Sequence, residues 1–158
     1  MNEIKNLELL FKKATKIDVD NFMSKAIINE NVYPYLSTTK YMGTFEVTDD
    51  DWSGMLLTNS TNSYLCKISF RRSDEVGISV SLYAITPFSA GRALIVINEI
   101  IRRYKPRYVD TVVHSSNIKS IKLNTKLLGE PWGVEPMGAW NSKLGEYEDL
   151  VYFRKLFA

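Results

Sequence analysis

The sequence has very little of the chemistry that disulfides and metal sites require. Among its 158 residues there is one cysteine, Cys66, and one histidine, His114. A lone cysteine cannot form a disulfide within the chain, and the two residues are too few for a zinc site built from cysteines or histidines. We therefore predict no metal site. Cys66 lies in an apolar, alternating segment, which favours a small core residue over a nucleophile.

Long apolar runs and a strong net charge are missing as well. The longest apolar run in the middle of the chain, Ala93 to Ile97, is far shorter than the roughly 20 residues that cross a membrane. The N-terminus mixes charged residues with leucine and has no signal-peptide pattern. A net charge of +2 is too small to indicate nucleic-acid binding. We expect a cytoplasmic protein with no membrane partner.

The first half of the chain predicts two helices followed by an antiparallel meander. Apolar residues at helical spacing favour a helix over residues 2–15, and a second helix has Asp18 as its N-cap. Residues 40–53 are ambiguous, with a strand at 44–47 as one interpretation. Three strand-like segments with short turn-forming connections follow: Gly54 to Thr58, Ser63 to Arg71 and Val76 to Ile85. Connections this short join antiparallel strands.

The second half of the chain alternates strands and helices. The pattern predicts a helix, a buried strand, a helix and two final strands, over residues 90–104, 108–113, 117–128, 132–140 and 148–157. No internal repeat, low-complexity tract or linker divides the sequence. We therefore predict one mixed α/β domain over residues 1–158.

Two short motifs in the second half carry a resemblance to a known family. The first is Phe88-Ser89-Ala90-Gly91-Arg92-Ala93, which opens a predicted helix and follows Thr86-Pro87. The second begins with Val112-Val113-His114-Ser115-Ser116-Asn117 and continues into a helix that carries Ser120 and Asn124. In this order of strands and helices, residues 76–156 resemble the GNAT family, the Gcn5-related N-acetyltransferases.

The resemblance implies both a fold and a cofactor. The fold is an α/β domain of mixed α+β character, whose mostly antiparallel sheet splays between its fourth and fifth strands and is flanked by about four helices. The cofactor is acetyl-CoA. Its binding residues by resemblance are Leu82, Tyr83, Ala84 and Ile85 along the pantetheine arm, Phe88, Ser89, Ala90, Gly91, Arg92 and Ala93 at the pyrophosphate, and Asn117 and Ser120 opposite. A helix N-terminus with free N–H groups also suits a pyrophosphate on physical grounds.

The motifs depart from the family pattern where the chemistry would take place. Phe88 stands where the family usually has glutamine or arginine. Asn124 stands where a tyrosine usually protonates the departing thiolate, and an amide cannot act as a general acid. The predicted strand over residues 76–85 contains no carboxylate. Tyr83, Tyr152 and His114 remain as titratable candidates, and of these Tyr83 and His114 are the candidate catalytic residues.

Each of these residues also has a simpler structural interpretation. Gly91 is then a glycine at a helix start, Asn117 a helix cap, Arg92 a surface charge and His114 a hydrogen-bonded wall residue. Asp110 lies on the same strand face as His114, but four residues of strand place it too far away to pair directly.

The resemblance and the departures from it lead to two hypotheses about function, which belong to different classes. The first is an N-acyltransferase that passes an acetyl group from acetyl-CoA to an amine-bearing small molecule or protein by direct attack. The second is a GNAT-fold protein without catalysis, with a virion structural, head-assembly or host-interaction role. The weakened motif, together with the front segment Ile28 to Ser37 and its Asn-Val-Tyr-Pro-Tyr-Leu-Ser run, resembles GNAT-like proteins of tailed bacteriophages. That resemblance favours a phage or host protein as partner, and the host cytoplasm or the virion as location.

Overall fold

The structure is a computed structural model that describes residues 12–36, 55–71, 77–86 and 90–157. Several predictions lie outside these residues. They are most of the helix over residues 2–15, the strand at 44–47, and Phe88 and Ser89 of the first motif.

A seven-stranded sheet organises the described residues. Its strands are β1 (Lys12–Lys13), β2 (Met55–Thr58), β3 (Tyr64–Arg71), β4 (Gly77–Ala84), β5 (Tyr108–His114), β6 (Gly133–Asn141) and β7 (Glu146–Leu156). They lie in the order β1-β2-β3-β4-β5-β7-β6. Neighbouring strands are antiparallel except β4 and β5, which are parallel. The predicted meander and the mixed sheet are confirmed.

Three α-helices occur in the described part of the chain. They are α1 (Lys16–Ala26), α2 (Ala90–Tyr104) and α3 (Ile118–Leu128), and a short 3₁₀ turn, Tyr33–Tyr35, follows α1. Helix α2 is the crossover that a parallel pair of strands requires. Of the helices that the resemblance implied, α2 and α3 have the predicted positions.

The start of α1 corrects two predictions. Lys12–Lys13 is a strand paired with β2, so the helix predicted over residues 2–15 does not extend to residue 15. Thr15 is the N-cap in place of Asp18: its Oγ1 accepts the Asp18 N–H at 3.2 Å, and Asp18 Oδ2 accepts the Thr15 N–H at 2.9 Å. This capping box satisfies two free N–H groups of the helix start. The bond from the Thr15 N–H, supported by one from Asn62, lowers the pKa of Asp18 to about 2.

Helices cover the two faces of the sheet in different places. On one face, here called the α1 face, Leu65 of β3 packs with Phe22 and Ala26 of α1. On the other, the α2/α3 face, Ile78 of β4 packs with Val96 of α2 and with Val109 of β5. Helix α3 covers the same face further along, where its core residue Leu128 packs with Val113, Val151 and Phe153. Because side chains alternate along a strand, even-numbered residues of β4 face α2 and odd-numbered ones face α1.

The parallel strands β4 and β5 pair over a short distance only. Gly77, Ile78 and Ser79 are in register with Tyr108, Val109 and Asp110, and the pairing ends there. From that point to Ala84 and His114 the two strands diverge, which confirms the predicted splay. Gly77 sits at the closed end, where a Cβ would overlap the ring of Tyr108. That ring also lies under the Arg154 guanidinium, 4.1 Å from its centroid.

Replacing Gly77 with alanine is expected to destabilise the fold by about 1–3 kcal/mol, because the tyrosine ring occupies the space of the new methyl group. Urea unfolding measures the change. Gly133→Ala is the matched control, since no atom lies within 4 Å of its added Cβ, and it should change stability by less than about 0.5 kcal/mol. Equal stability of the two variants would contradict this account of the closed end.

Candidate functional site

A cavity of about 420 Å³ opens where β4 and β5 diverge. Its wall includes side chains from both faces of the sheet. From the α1 face come Tyr35, Lys67, Ser81, Tyr83 and His114, and from the α2/α3 face come Val80, Leu82, Ala93, Thr111, Ser120 and Asn124. A cavity lined from both faces passes through the plane of the sheet. It is a passage between strands, in contrast to a groove on the surface of one face.

The hydrogen-bond register decides which main-chain groups of β4 face this passage. The Ile85 N–H donates to the Ser63 carbonyl at 2.9 Å, and these residues continue the antiparallel register of β3 and β4. In an antiparallel pair, residues that bond to the neighbour alternate with residues that point away. The odd-numbered residues of β4 therefore bond to β3. The even-numbered residues beyond the paired end, Val80, Leu82 and Ala84, direct their N–H and C=O groups toward β5 and the passage.

This register narrows the expectation for the pantetheine arm. The main-chain groups of Leu82 and Ala84 are directed into the passage. Those of Tyr83 and Ile85 are directed to β3, and the Ile85 N–H already has a partner there. Because main-chain groups alternate along a strand, the sequence could have predicted that Leu82 and Ala84 point one way and Tyr83 and Ile85 the other. It does not show which of the two sets bonds to β3.

Of the predicted pyrophosphate residues, the structure describes Ala90, Gly91, Arg92 and Ala93, which lie in the first turn of α2. Helix α2 begins at Ala90, Gly91 is exposed in its first turn, and Ala93 is buried in the cavity wall. The guanidinium of Arg92 donates from Nη1 to the Tyr64 hydroxyl at 2.8 Å, so this side chain has a contact on β3.

On the β5 side, polar side chains of α3 line the passage. Asn117 is the N-cap of α3, and its Oδ1 accepts the Ser120 N–H at 3.3 Å, so the simple capping role is present. Asn124 accepts from Thr111 Oγ1 at 2.7 Å and donates to the Ser120 carbonyl at 2.8 Å and Oγ at 3.2 Å. Both ends of the Asn124 amide are engaged within the wall. Asn117 and Ser120 of the second motif both lie in the wall of the passage.

Tyr83 lies on the opposite wall with its ring toward the α1 face. Burial raises the pKa of its phenol above the ordinary value, although a hydrogen bond with Ser81 opposes the shift. The phenol is therefore protonated at neutral pH. It can donate a hydrogen bond but does not act as a base.

His114 is held by a carboxylate that the sequence did not reveal. Its Nδ1 lies 3.0 Å from Glu148 Oε1, and the two side chains are only 6% and 8% exposed. Ser116 Oγ donates to the same oxygen at 3.0 Å, and Asn141 Nδ2 donates to the other at 3.0 Å. A carboxylate accepts only, so Nδ1 carries the imidazole proton and Nε2 has a lone pair. Glu148 is 34 residues from His114 in the sequence, and only the pairing of β5 with β7 brings them together.

The electrostatics of His114 favour the neutral imidazole. Burial lowers its pKa below 6.5, while the charge of Glu148 and the hydrogen bond to it oppose the shift. The ring of Tyr35 packs edge-on against the imidazole, with the centroids 5.3 Å apart. Nε2 is buried and has no hydrogen-bond partner within the described part of the chain.

Two other features of the described residues bear on the kind of site. None of their helices is long and apolar enough to span a membrane. They also contain no group of three or more His, Cys, Asp or Glu side chains arranged to hold a metal ion.

Comparison with known proteins identifies the fold. No protein-family model matches the sequence, and no curated protein is significantly similar to it. A proposed phosphinothricin N-acetyltransferase superposes with a TM-score of 0.69 over 94% of this chain and 98% of that chain, at 16% identity. A GNAT-family acetyltransferase from Streptococcus pneumoniae gives a TM-score of 0.64 over 94% and 99%, at 15% identity. This chain has a GNAT-like fold.

A third structure with the GNAT-like fold was solved with a ligand. YncA, a proposed acetyltransferase from Salmonella typhimurium, was determined with its cofactor acetyl-CoA and matches with a TM-score of 0.62 over 94% of this chain and 93% of that chain, at 14% identity. At such low identity these similarities show the fold and assign no residue roles. They confirm the fold that the two motifs predicted.

From the lowered pKa of His114 we predict how the free energy of unfolding depends on pH. Above pH 6.5 the imidazole is neutral in the folded and the unfolded chain. Below that pH the unfolded chain binds the proton first, so stability is lost as the pH falls toward the folded pKa. Urea unfolding should show a lower free energy of unfolding at about pH 5 than at about pH 7.5. His114→Asn should reduce this difference, and an unchanged difference would contradict the neutral buried imidazole.

Proposed function

We propose that this protein transfers an acetyl group from acetyl-CoA to an amine acceptor by direct attack. The observation that carries the proposal is the passage between β4 and β5, which is lined from both faces of the sheet and receives the main-chain groups of Leu82 and Ala84. A passage of this form lets two substrates meet within the sheet. Acetyl-CoA supplies a thioester-activated acetyl group.

The residues present fit acetyl-CoA. Its pantetheine arm is a chain with two amides, and the N–H and C=O groups of Leu82 and Ala84 are strand groups of the kind that pair with amides. The first turn of α2 presents N–H groups and the positive end of the helix dipole, which favours a pyrophosphate. Gly91, exposed in that turn, allows close approach of a phosphate to the backbone. Asn117 and Ser120 line the passage opposite β4.

The acceptor amine would approach from the α1 face. On that side the cavity wall contains Tyr35, Tyr83 and His114, with the imidazole buried at the end of β5. The α2/α3 face is covered by the helix whose first turn suits the phosphates. Separate faces for donor and acceptor place the reacting atoms in the opening between the strands.

Direct attack is favoured over an acetyl-enzyme because the cavity cysteine is a poor nucleophile. Cys66 lines the cavity but is fully buried, and burial raises the pKa of its thiol to about 12. At pH 7 only about one molecule in 10⁵ would then carry the reactive thiolate. The amine is thus the first group to attack the acetyl carbon.

One observation favours the alternative of a protein without catalysis. The amide of Asn124 is bonded to Thr111 and Ser120 and supplies no acid for a leaving thiolate. A non-catalytic GNAT-like protein with a phage structural or host-interaction role stays a prediction from the sequence. Cofactor binding separates the two functions.

Isothermal titration with acetyl-CoA tests the proposal. We expect saturable heat at a protein concentration of about 100 μM, and no heat would mean a Kd weaker than about 1 mM and would reject the transferase. Gly91→Glu should abolish binding, because it places bulk and negative charge where the pyrophosphate is proposed to lie. Ser142→Glu, which adds the same charge in the exposed β6–β7 turn, should bind as the wild type does.

Peptide mapping tests direct attack. After incubation with acetyl-CoA in the absence of an amine, mass spectrometry should find Cys66 unmodified. Cys66→Ala should still bind acetyl-CoA, with a stability loss of about 1 kcal/mol from the small cavity created. An acetylated Cys66 that forms as fast as the protein turns over would show an acetyl-enzyme and reject direct attack.

A further inference from the structure

His114 is part of the cavity wall on the α1 side. Its Nε2 is buried and lacks a hydrogen-bond partner among the described residues. A buried polar atom without a partner costs about 1–3 kcal/mol. Such atoms are rare in native structures and need an explanation, of which a ligand donor in the cavity is one.

The rest of the imidazole is fixed in place. Nδ1 is bonded to Glu148, and Tyr35 packs against the ring. The carboxylate is itself held by Ser116 and Asn141, and Asn141 also donates to Ser116 Oγ at 3.1 Å. Asn141 is only 2% exposed. Two side chains, one just after β5 and one at the end of β6, thus hold the carboxylate, and the carboxylate holds one tautomer with its lone pair on Nε2.

We propose that His114 Nε2 is the base that accepts the proton of the acceptor amine, and that Glu148 is the residue that positions it. The proposal rests on the acetyl transfer proposed above, and it names the general base for that transfer. No carboxylate of β4 is available for this role, since the described strand, Gly77–Ala84, contains none.

The step balances in atoms and charge. The amine nitrogen forms a bond to the acetyl carbon, the carbon–sulfur bond breaks, and the sulfur leaves with the bonding electron pair. The proton lost by the nitrogen goes to Nε2, which gives an imidazolium beside the Glu148 carboxylate. That proton then neutralises the thiolate, directly or through water, and the imidazole returns to its neutral form. The carboxylate offsets the transient positive charge in a buried site.

Within the described part of the chain, few charged or titratable groups line the cavity near this imidazole. Besides Glu148 from β7, the cavity wall on the α1 face contains the phenols of Tyr35 and Tyr83 and the ammonium group of Lys67. Glu148 is the group bonded to the ring, so the ionisation of His114 should respond to that carboxylate before any other group.

A chain with one histidine allows a direct measurement in the absence of any cofactor. Long-range ¹H–¹⁵N NMR of the uniformly labelled protein should show a neutral imidazole with the proton on Nδ1 at neutral pH. Glu148→Gln should lower the histidine pKa and weaken the tautomer preference, because it removes the charge and one acceptor oxygen. Glu146→Gln is the matched control, an exposed carboxylate two residues earlier in β7, and should leave the spectrum unchanged. A proton on Nε2 in the wild type would overturn the proposal.

Turnover gives the second readout. Thiol release from acetyl-CoA is measured with spermidine, glycinamide and a lysine-containing peptide as amines. We expect His114→Gln to lower kcat by about 100-fold or more, with acetyl-CoA affinity by calorimetry within about three-fold of wild type. Glu148→Gln should shift the acid limb of the pH–rate profile to lower pH, which a merely structural role would not do.

The outcomes separate the two proposals. Failure of the wild type to bind acetyl-CoA rejects the transferase itself. Normal binding with undiminished turnover in His114→Gln rejects only the base. A wild type that binds acetyl-CoA but acetylates none of the three amines rejects both the transfer and the base. If Glu148→Gln lowers turnover and retains acetyl-CoA affinity while its pH–rate profile does not move, the positioning role of that carboxylate is rejected.

Discussion

The short pairing of β4 with β5 is the constraint on which the site depends. Among the described residues, three pairs join these strands before they diverge. The Tyr108 ring occupies the space above Gly77 at the paired end. Beyond it, alternate main-chain groups of β4 have β3 on one side and an opening on the other. The cavity, its two-sided wall and the exposed start of α2 all follow from this divergence.

The sequence predicted the parts of this arrangement that local patterns encode. The apolar spacing of α2 and the buried strand β5 each leave a signal within a few residues, and both lie where they were expected. The two motifs also placed the opening correctly between the fourth and fifth strands of the sheet.

Other features depend on register, which a single sequence does not encode locally. Glu148 meets His114 only because β7 pairs antiparallel with β5, and no spacing rule links residues so far apart. The parity of β4 that faces the opening is likewise fixed by its pairing with β3. The N-cap of α1 was predicted at Asp18 and lies three residues earlier, at Thr15. Thr15 and Asp18 bond to each other in a capping box, and both are residue types that cap helices.

The passage through the sheet has a kinetic consequence. A groove on one face would make donor and acceptor share an entrance, and the second to arrive would wait for the first to clear it. In the proposed transfer each has its own side of the sheet, so either can enter first and both occupy the protein together. The sheet then separates the two substrates, which meet at the opening between β4 and β5. The proposed reaction takes place in a ternary complex in which neither product blocks the exit of the other.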